Sequence, residues 1–595
     1  MSANRSHLYF ADLDSRHNVG KTGNVGSDFA GEGRQSALES VHRIEQQRRD
    51  HAKAGIGPRL PAAQGLVHGH ALQGGSQFFS HHGHVSGQVI HVKSAARVVG
   101  INYVDSDHPH YYRTLKSIRA GLTMVAAGMA AVVAARMLFG PFRLGPVSVI
   151  TPLNPEGFFG LAVTALLLTR TSANPAAPRG RRLGVILMAL GVAAISIVAL
   201  RRALGVYFLS DDFILVRFGS EWTAAAFRHA MTHGGGDGFF RPLGYASLAL
   251  DARLSGSNPM GWHAISLAIH SANAVLVLLM ARRLGASIAA AGFAGALFAV
   301  HGIHPEAVVW IAGRFDLVAT FFLLAGLFLF TMTGGRNRIS PHVAALACFA
   351  LAALTKEAAF IFPLLVAGYA LAKRQSLRPT AWYFALAATL FAYRWSLFGG
   401  IGGYVNPATG RPAALSLGWG STLKAVAVRL WTSLYFPLNW SRDASLPLLL
   451  ALLAVAYMAA ILWLGARSRP TRMIWLAAAS ILVCTIPVLS LLAGSAALAG
   501  SRVLYLPSVW FAILLALAVD GVPGHVRYVA AAVVLLFQFA MLQHNLGFWE
   551  AASSQVKTEC ATGAPALPDS IDGVPALANG RQECIQAGRN GLSRP

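Results

Sequence analysis

The sequence predicts an all-α polytopic integral membrane protein, on three observations. The 595 residues are 54% hydrophobic and only 12% charged, about half the charged share of an ordinary soluble protein, roughly 25%. The mean hydropathy is +0.50. Apolar segments recur from residue 118 to residue 542, and most are long enough to cross a ~30 Å hydrocarbon core as a helix. The expected architecture is a bundle of about 11–13 transmembrane helices with juxtamembrane helices at one end.

Residues 1–115 stand apart. They are rich in Gly, Ser, Arg and His, with HGH at 68–70 and HHGH at 81–84. They show no sustained period of 3.6 or 2, and no basic segment followed by an apolar one that would make a signal peptide. This segment reads as disordered or as a spurious extension, with Met124 as an alternative start. A histidine-rich metal tail is the competing reading. Residues 116–182 read as a transmembrane hairpin interrupted by NPEG (154–157), followed by a basic linker. Residues 183–542 form the main membrane domain, and 543–595 a short tail.

The spans are expected at 118–138, 147–170, 183–203, 262–281, 287–300, 315–333, 342–355, 357–372, 381–398, 446–465, 473–491, 503–519 and 525–542. Residues 418–440 place Lys424 and Arg429 among Trp, Leu and Phe, with Arg442 beyond, which suits a helix lying along the interface. Basic clusters fall at Arg179–Arg182, Arg282–Arg283, Arg336–Arg338, Lys373–Arg378 and Arg467–Arg472. The positive-inside rule puts these in the cytoplasm. The alternate loops, and the C-terminal tail, then face the other side, the periplasm of a bacterial inner membrane.

Those alternate loops carry the chemistry. AVHGIHPEAVVWIAGRFDLVATF (299–321) sets two histidines, a glutamate, an arginine and an aspartate between apolar runs. Solvated turns favour Gly, Ser and Asn, whereas ionisable groups gathered at one membrane end are by default a functional-site hypothesis. His301 and His304 could offer two metal ligands on one helix face, with Glu306 beyond. Gly302 and Pro305 argue against a regular helix there, so hydrogen bonding within the loop or to a substrate's hydroxyls is the preferred reading. No metal ligand is assigned, and the need for a divalent metal stays open. His263 and His270 read as buried structural residues. Cys348 and Cys484 sit in apolar helices as small hydrophobes. Cys560 and Cys584 lie in the tail, where a disulfide is an open question.

The ordered motifs YFLSDDF (207–213), FFRPLGYASLALDARLSGSNPMGWHAISLAIHSANAVLVLL (239–279), AVHGIHPEAVVWIAGRFDLVATFF (299–322), LTKEAAFIFPLL (354–365) and SRVLYLPSVWF (501–511) resemble the GT-C glycosyltransferase superfamily. The nearest branch is that of the transmembrane and tetratricopeptide-repeat O-mannosyltransferases and their bacterial, family 39-like relatives. The resemblance covers about residues 183–550. The chain departs from that branch in having no tetratricopeptide array, since the stretch after residue 542 is too short for ~34-residue units.

The resemblance implies a membrane enzyme that moves a sugar from a polyprenyl-phosphate donor to a hydroxyl on a glycan, lipid or protein acceptor. It places the catalytic aspartate at Asp211 or Asp212. Adjacent carboxylates rarely face the same way, so one is expected as general base and the other to orient the site or hold a metal. Asp211 is the preferred base, and a helix-capping pair is the bland alternative. The lipid phosphate needs cations, for which Lys356, Arg502 and Arg314 are candidates. Each could instead be a snorkelling interfacial residue, and the expected partner of Arg314 is Asp316. Arg241, His301, His304, Glu306, Asp316, Glu357 and Tyr505 are expected to line the site. The formal charge of +24 is accounted for by attraction to anionic membrane lipids, and no nucleic-acid motif is visible. A secondary transporter or flippase is the competing function. It would require charges deep in helices and an inverted repeat, and neither stands out.

Overall fold

The computed structural model describes residues 109–589, apart from 145–146, 150–152, 170–181, 235–237, 335–338, 404–411, 413–417, 442–445, 470, 493–497, 563–566 and 578–579. The expectations for residues 1–108, Arg179, Arg181, Arg336, Arg338 and Arg442 lie outside the described residues.

Helix α1, Pro109–Phe139, begins ahead of the boundary expected at residue 116. It packs on α2, Leu153–Leu168. A small antiparallel hairpin joins them, β1 Phe142–Leu144 and β2 Val147–Val149, with Phe142 opposite Val149. The sequence reading began the second span at 147 and treated NPEG as an interruption. NPEG is instead the first turn of α2. Proline lacks an N–H and collides with the carbonyl four residues back, so a helix starts at Pro155 far more readily than it passes through it.

Helix α3, Arg182–Leu200, runs into a 3-10 turn at Arg201–Gly205. Three short helices follow: α4 Asp211–Glu221, α5 Ala224–His233 and α6 Pro242–Ser255. Then come α7 Pro259–Arg283, α8 Ile288–Ala299, α9 Pro305–Val309 and α10 Arg314–Met332. Next are α11 Ile339–Ala353, α12 Phe362–Ala372 and α13 Ala381–Phe398. Prolines at the first turn of α6, α7, α9 and α12 mark their starts. Among the described residues, eight helices are long and apolar enough to cross a membrane, and four shorter apolar helices of 10–17 residues stand beside them. Each span drawn from the sequence overlaps a helix, although that at 147–170 begins in β2 and that at 381–398 is neither among the eight nor among the four.

The 418–440 stretch forms α14 Trp419–Lys424, a π-turn at Ala425–Arg429 and α15 Leu430–Tyr435. Trp419 is 93% exposed, yet Leu430, Trp431, Leu434 and Tyr435 are buried. The Tyr435 hydroxyl meets Thr164 Oγ1 of α2 at 3.0 Å. The segment therefore dives from the surface into the bundle rather than lying flat. Helices α16 Leu448–Arg467, α17 Met473–Thr485 and α18 Tyr505–Asp520 complete the core. The span containing α18 is 94% buried, while those of α1 and α3 are 22% buried. A helix apolar on every face belongs inside, so α18 is the central helix, and α1 and α3 face lipid.

Helix α19, Val526–Thr562, continues well beyond the expected end at 542. Trp549 is 6% exposed and packed inward. Ion pairing of Arg202 with Glu550, and the Tyr207 N–H donating to Ser553 Oγ at 3.2 Å, hold this extension against the chain after α3. A hairpin, β3 Ser570–Ile571 with β4 Val574–Pro575, and α20 Arg581–Arg589 follow. The disulfide Cys560–Cys584 closes the tail.

Orientation can be tested by labelling. Ser257 is exposed between α6 and α7, and Ser376 is exposed in the basic loop after α12. In intact cells, Ser257→Cys is expected to react with a membrane-impermeant maleimide and Ser376→Cys to react only after lysis. The reverse pattern would invert the topology.

Candidate active site

The chain leaves α3 through its 3-10 turn and runs extended to Ser210, whose backbone (φ 47°, ψ −116°) is left-handed. That reversal starts α4 at Asp211 and turns the two aspartates different ways. Asp212 is 0% exposed. Its Oδ2 accepts from the Leu209 N–H at 3.0 Å and its Oδ1 from the Ile311 N–H at 2.9 Å. Burial pushes its carboxyl well above the usual range, and these backbone donors oppose the shift. Asp211 is only half buried, with Ser210 Oγ at 3.4 Å from its Oδ1. One carboxylate is thus built into the protein and its neighbour stands toward the surface.

The residue that Asp212 grips belongs to the polar loop of the third motif. Around Ile311 this loop makes the central connections of the site. Glu306 on α9 pairs with Arg502 (Nη1 to Oε1, 2.9 Å) and accepts from Ser501 Oγ at 3.0 Å. The Arg502 guanidinium also lies 4.0 Å from the centroid of the Trp310 ring, a cation–π contact. Gly313 lets the turn close: a Cβ there would sit 2.4 Å from the Ala307 carbonyl oxygen.

The next residues run down α10. Arg314 is 1% exposed and pairs with Asp251 of α6, not with Asp316 as the sequence suggested. Residues two apart on a helix point to opposite sides, so Arg314 and Asp316 cannot face one another. Arg314 also donates to the Trp262 carbonyl at 3.1 Å and to Ser266 Oγ at 2.9 Å. Asp316 instead binds Lys356 Nζ at 2.6 Å. Beside that pair, Arg241 holds Glu357 through Nε–Oε2 at 3.0 Å and Nη2–Oε1 at 2.5 Å. It also lies over Phe239, 3.9 Å from the ring centroid. Burial lowers the Lys356 ammonium, the Asp316 carboxylate raises it, and the nearby Arg241 charge lowers it further.

The motifs therefore meet at one end of the bundle, but the expected site residues divide into two layers. Asp211, Arg241, Glu357 and Arg502 form the partly exposed layer, with Lys356, Glu306 and Asp316 buried as ion-pair members. Arg314, His301, His304 and Tyr505 lie beneath. His301 and His304 are both 0% exposed. The first donates through Nε2 to the Leu434 carbonyl at 3.0 Å, and the second meets Ser508 Oγ at 3.0 Å. Burial depresses both imidazoles, His301 to about 3, and keeps them neutral. The Tyr505 hydroxyl meets His270 Nδ1 at 2.7 Å and accepts from Asn273 Nδ2 at 3.1 Å. These residues, expected to line the site, brace its floor. Among the described residues, no three His, Cys, Asp or Glu side chains gather as metal ligands.

Several residues that the sequence reading passed over complete the arrangement. Asp251 and Trp310 are partners of the named arginines. Asn545 donates to the Gly302 and Pro437 carbonyls at 2.7 and 2.6 Å and accepts from the Asn439 N–H at 3.2 Å. It staples α19 under the third motif. A shallow cleft opens there, lined by Glu306, Asn439, Ser501, Asn545, Trp549 and the tail residue Val574, among others. An acid in LALDARL or an amide in QHNLGF is a legible signal, but its partner lies far away in sequence.

This geometry defines a polytopic membrane protein with a polar, ion-paired site at one end of its helices. The chain is similar, over short stretches, to protein O-mannosyltransferases. It is 42% identical to protein O-mannosyl-transferase Tmtc2 of Drosophila melanogaster over 90 residues, 15% of this chain and 10% of that one. With protein O-mannosyl-transferase TMTC3 of Mus musculus it shares 33% identity over 121 residues, 20% of this chain and 13% of the relative. The human TMTC4 enzyme is 35% identical over 103 residues, 15% and 14% of the two chains. The matched stretches thus span only about a tenth to a seventh of those relatives. No protein-family model matches the chain.

The buried Arg314–Asp251 pair makes a sharp test. Arg314→Met alone strands a carboxylate in the bundle and is expected to destabilise the protein by about 3–5 kcal/mol. Arg314→Met with Asp251→Leu should recover much of that loss. Thermal unfolding in detergent measures both, and equal losses would show that the pair does not carry the effect.

Proposed function

We propose that this protein is a glycosyltransferase that moves a hexose of the mannosyl type from a polyprenyl-phosphate carrier to an acceptor hydroxyl. The observation that carries the reading is the division of labour in the aspartate pair. Asp212 is consumed by two backbone N–H groups, while Asp211 stands half buried at the same end as Lys356, Arg241 and Arg502. The similarity to protein O-mannosyltransferases supports it independently.

In this mechanism Asp211 accepts the proton of the acceptor hydroxyl as its oxygen bonds to the anomeric carbon. The bond from that carbon to the carrier phosphate breaks, and the lipid phosphate leaves with the electron pair. Lys356, Arg241 and Arg502 stabilise its charge. Each is already paired with a carboxylate, so the protein holds these cations in place before the donor arrives. An arginine can then share its remaining N–H groups with phosphate oxygens. Arg314 supports this layer from below. The acceptor is a glycan, lipid or protein hydroxyl. The setting is a bacterial inner membrane with the site facing the periplasm. Two features support that orientation: basic clusters at the other end of the helices, and a disulfide at this end, which needs an oxidising compartment to persist.

Replacing Asp211 by Asn preserves size and removes the base. Transfer should fall by roughly 10²-fold or more, with retention of radiolabelled polyprenyl-phosphate sugar on the purified enzyme unchanged. Lys356→Ala and Arg502→Ala are expected to weaken that retention as well, by about 1.5–3 kcal/mol each, the worth of a charge-assisted hydrogen bond. Full transfer by Asp211→Asn would rule out Asp211 as the base.

A further inference from the structure

We propose that the disulfide-closed C-terminal segment is a positioning element of the active site that holds the Ser210–Asp211 turn in its working shape. This rests on the reading of Asp211 as the base. The segment is remote in sequence from the aspartates yet meets the residues that flank them, Ser210 and Phe213. The Ser210 N–H donates to the Ala576 carbonyl at 2.7 Å. This is the residue whose left-handed backbone turns Asp211 and Asp212 apart, and such a conformation in a non-glycine residue persists only when its surroundings hold it.

A second contact seats the tail on the same turn. Gly580 (φ +78°) packs so closely that a Cβ there would lie 2.5 Å from the Ser210 carbonyl oxygen and 3.1 Å from Phe213 Cβ. Ser210 is thus gripped on both its N–H and its C=O faces. The tail is in turn anchored elsewhere. Asn439 Nδ2 and Ser441 Oγ donate to the Asp572 carbonyl at 3.0 and 3.1 Å, and Glu583 approaches Arg217 of α4 at 3.8 Å. The covalent link is Cys560–Cys584, which returns the start of α20 to the end of α19. The bond closes the loop carrying Ala576 and Gly580, so it limits how far that loop can lift from Ser210. The strongest tie of this loop to the rest of the protein is covalent, while its ties to Ser210 are two close backbone contacts.

Opening the bond tests this. A dithiol reagent supplies two electrons and two protons and closes to its own disulfide, leaving Cys560 and Cys584 as thiols. Using the full-length enzyme in lipid nanodiscs, kcat and the KM for the lipid-linked donor are measured before and after reduction, together with amide hydrogen exchange of residues 206–213. The expected result is faster exchange in that peptide and a fall in kcat of roughly 10-fold or more, the scale of misplacing a catalytic group by a fraction of an ångström to an ångström. Donor KM should change little, because the phosphate-binding cations lie on other elements. Gly580→Ala, which keeps the disulfide but crowds Ser210, should reproduce the kcat loss. Unchanged exchange at 206–213 after reduction would overturn the proposal, and so would faster exchange with unchanged kcat. Asp211→Asn measured alongside separates the two readings: an active Asp211→Asn enzyme removes the base assignment, while the exchange data still decide whether the tail holds the turn.

Discussion

The hydrogen bond from the Ile311 N–H to Asp212 is the constraint on which this end of the protein depends. A carboxylate with no exposed surface is costly unless its oxygens are satisfied, and Asp212 has one oxygen on the turn that leads into its own helix and one on the third-motif loop. That single side chain ties the aspartate turn to the segment that carries Glu306, Trp310, Arg314 and Asp316. Moving either part would strand a buried polar group. The position of Asp211 relative to the cations follows from this link.

Below that link the protein uses ion pairs to build a floor and a rim of different character. Arg314 and Asp251 are both 1% exposed in their side chains. Such a pair adds little net stability over a well-packed apolar replacement, but it strongly penalises arrangements that separate the charges, which makes it a register device between α6 and α10. The rim pairs are more open: Glu357 has 31% of its side chain exposed and Arg502 20%. They hold Arg241, Lys356 and Arg502 in place through carboxylate partners. His270, His301, His304 and Tyr505 belong to that floor, as aromatic packing whose polar atoms find mostly internal partners.

The C-terminal region changes character when seen in three dimensions. Its 526–562 helix begins as an apolar span and ends as a buttress packed on the loops at the site. Asn545 staples the third-motif loop, Ser553 caps the Tyr207 N–H, and the disulfide-closed loop reaches Ser210. One element thus runs from the membrane core to the edge of the aspartate turn.

The sequence by itself determined the all-α membrane class, the position of each span, and the set of ionisable residues that gather at one end. These follow from local composition: a run of apolar residues must be helical in lipid whatever surrounds it, and ionisable residues interrupting such runs are conspicuous. It also marked Asp211 and Asp212 as a pair, with Asp211 preferred as the base from the resemblance. Only the tertiary structure decided that Asp212 binds Ile311, that Arg314 chooses Asp251 over Asp316, that His301, His304 and Tyr505 lie in the floor, and that the tail closes through Cys560–Cys584 onto Ser210. Partner choice depends on which side chains face each other across helices far apart in the chain, and on helix phase, which turns residues two apart to opposite faces. Neither is encoded within a window of adjacent residues, so the members of the site could be read from the sequence, and their connections only from the fold.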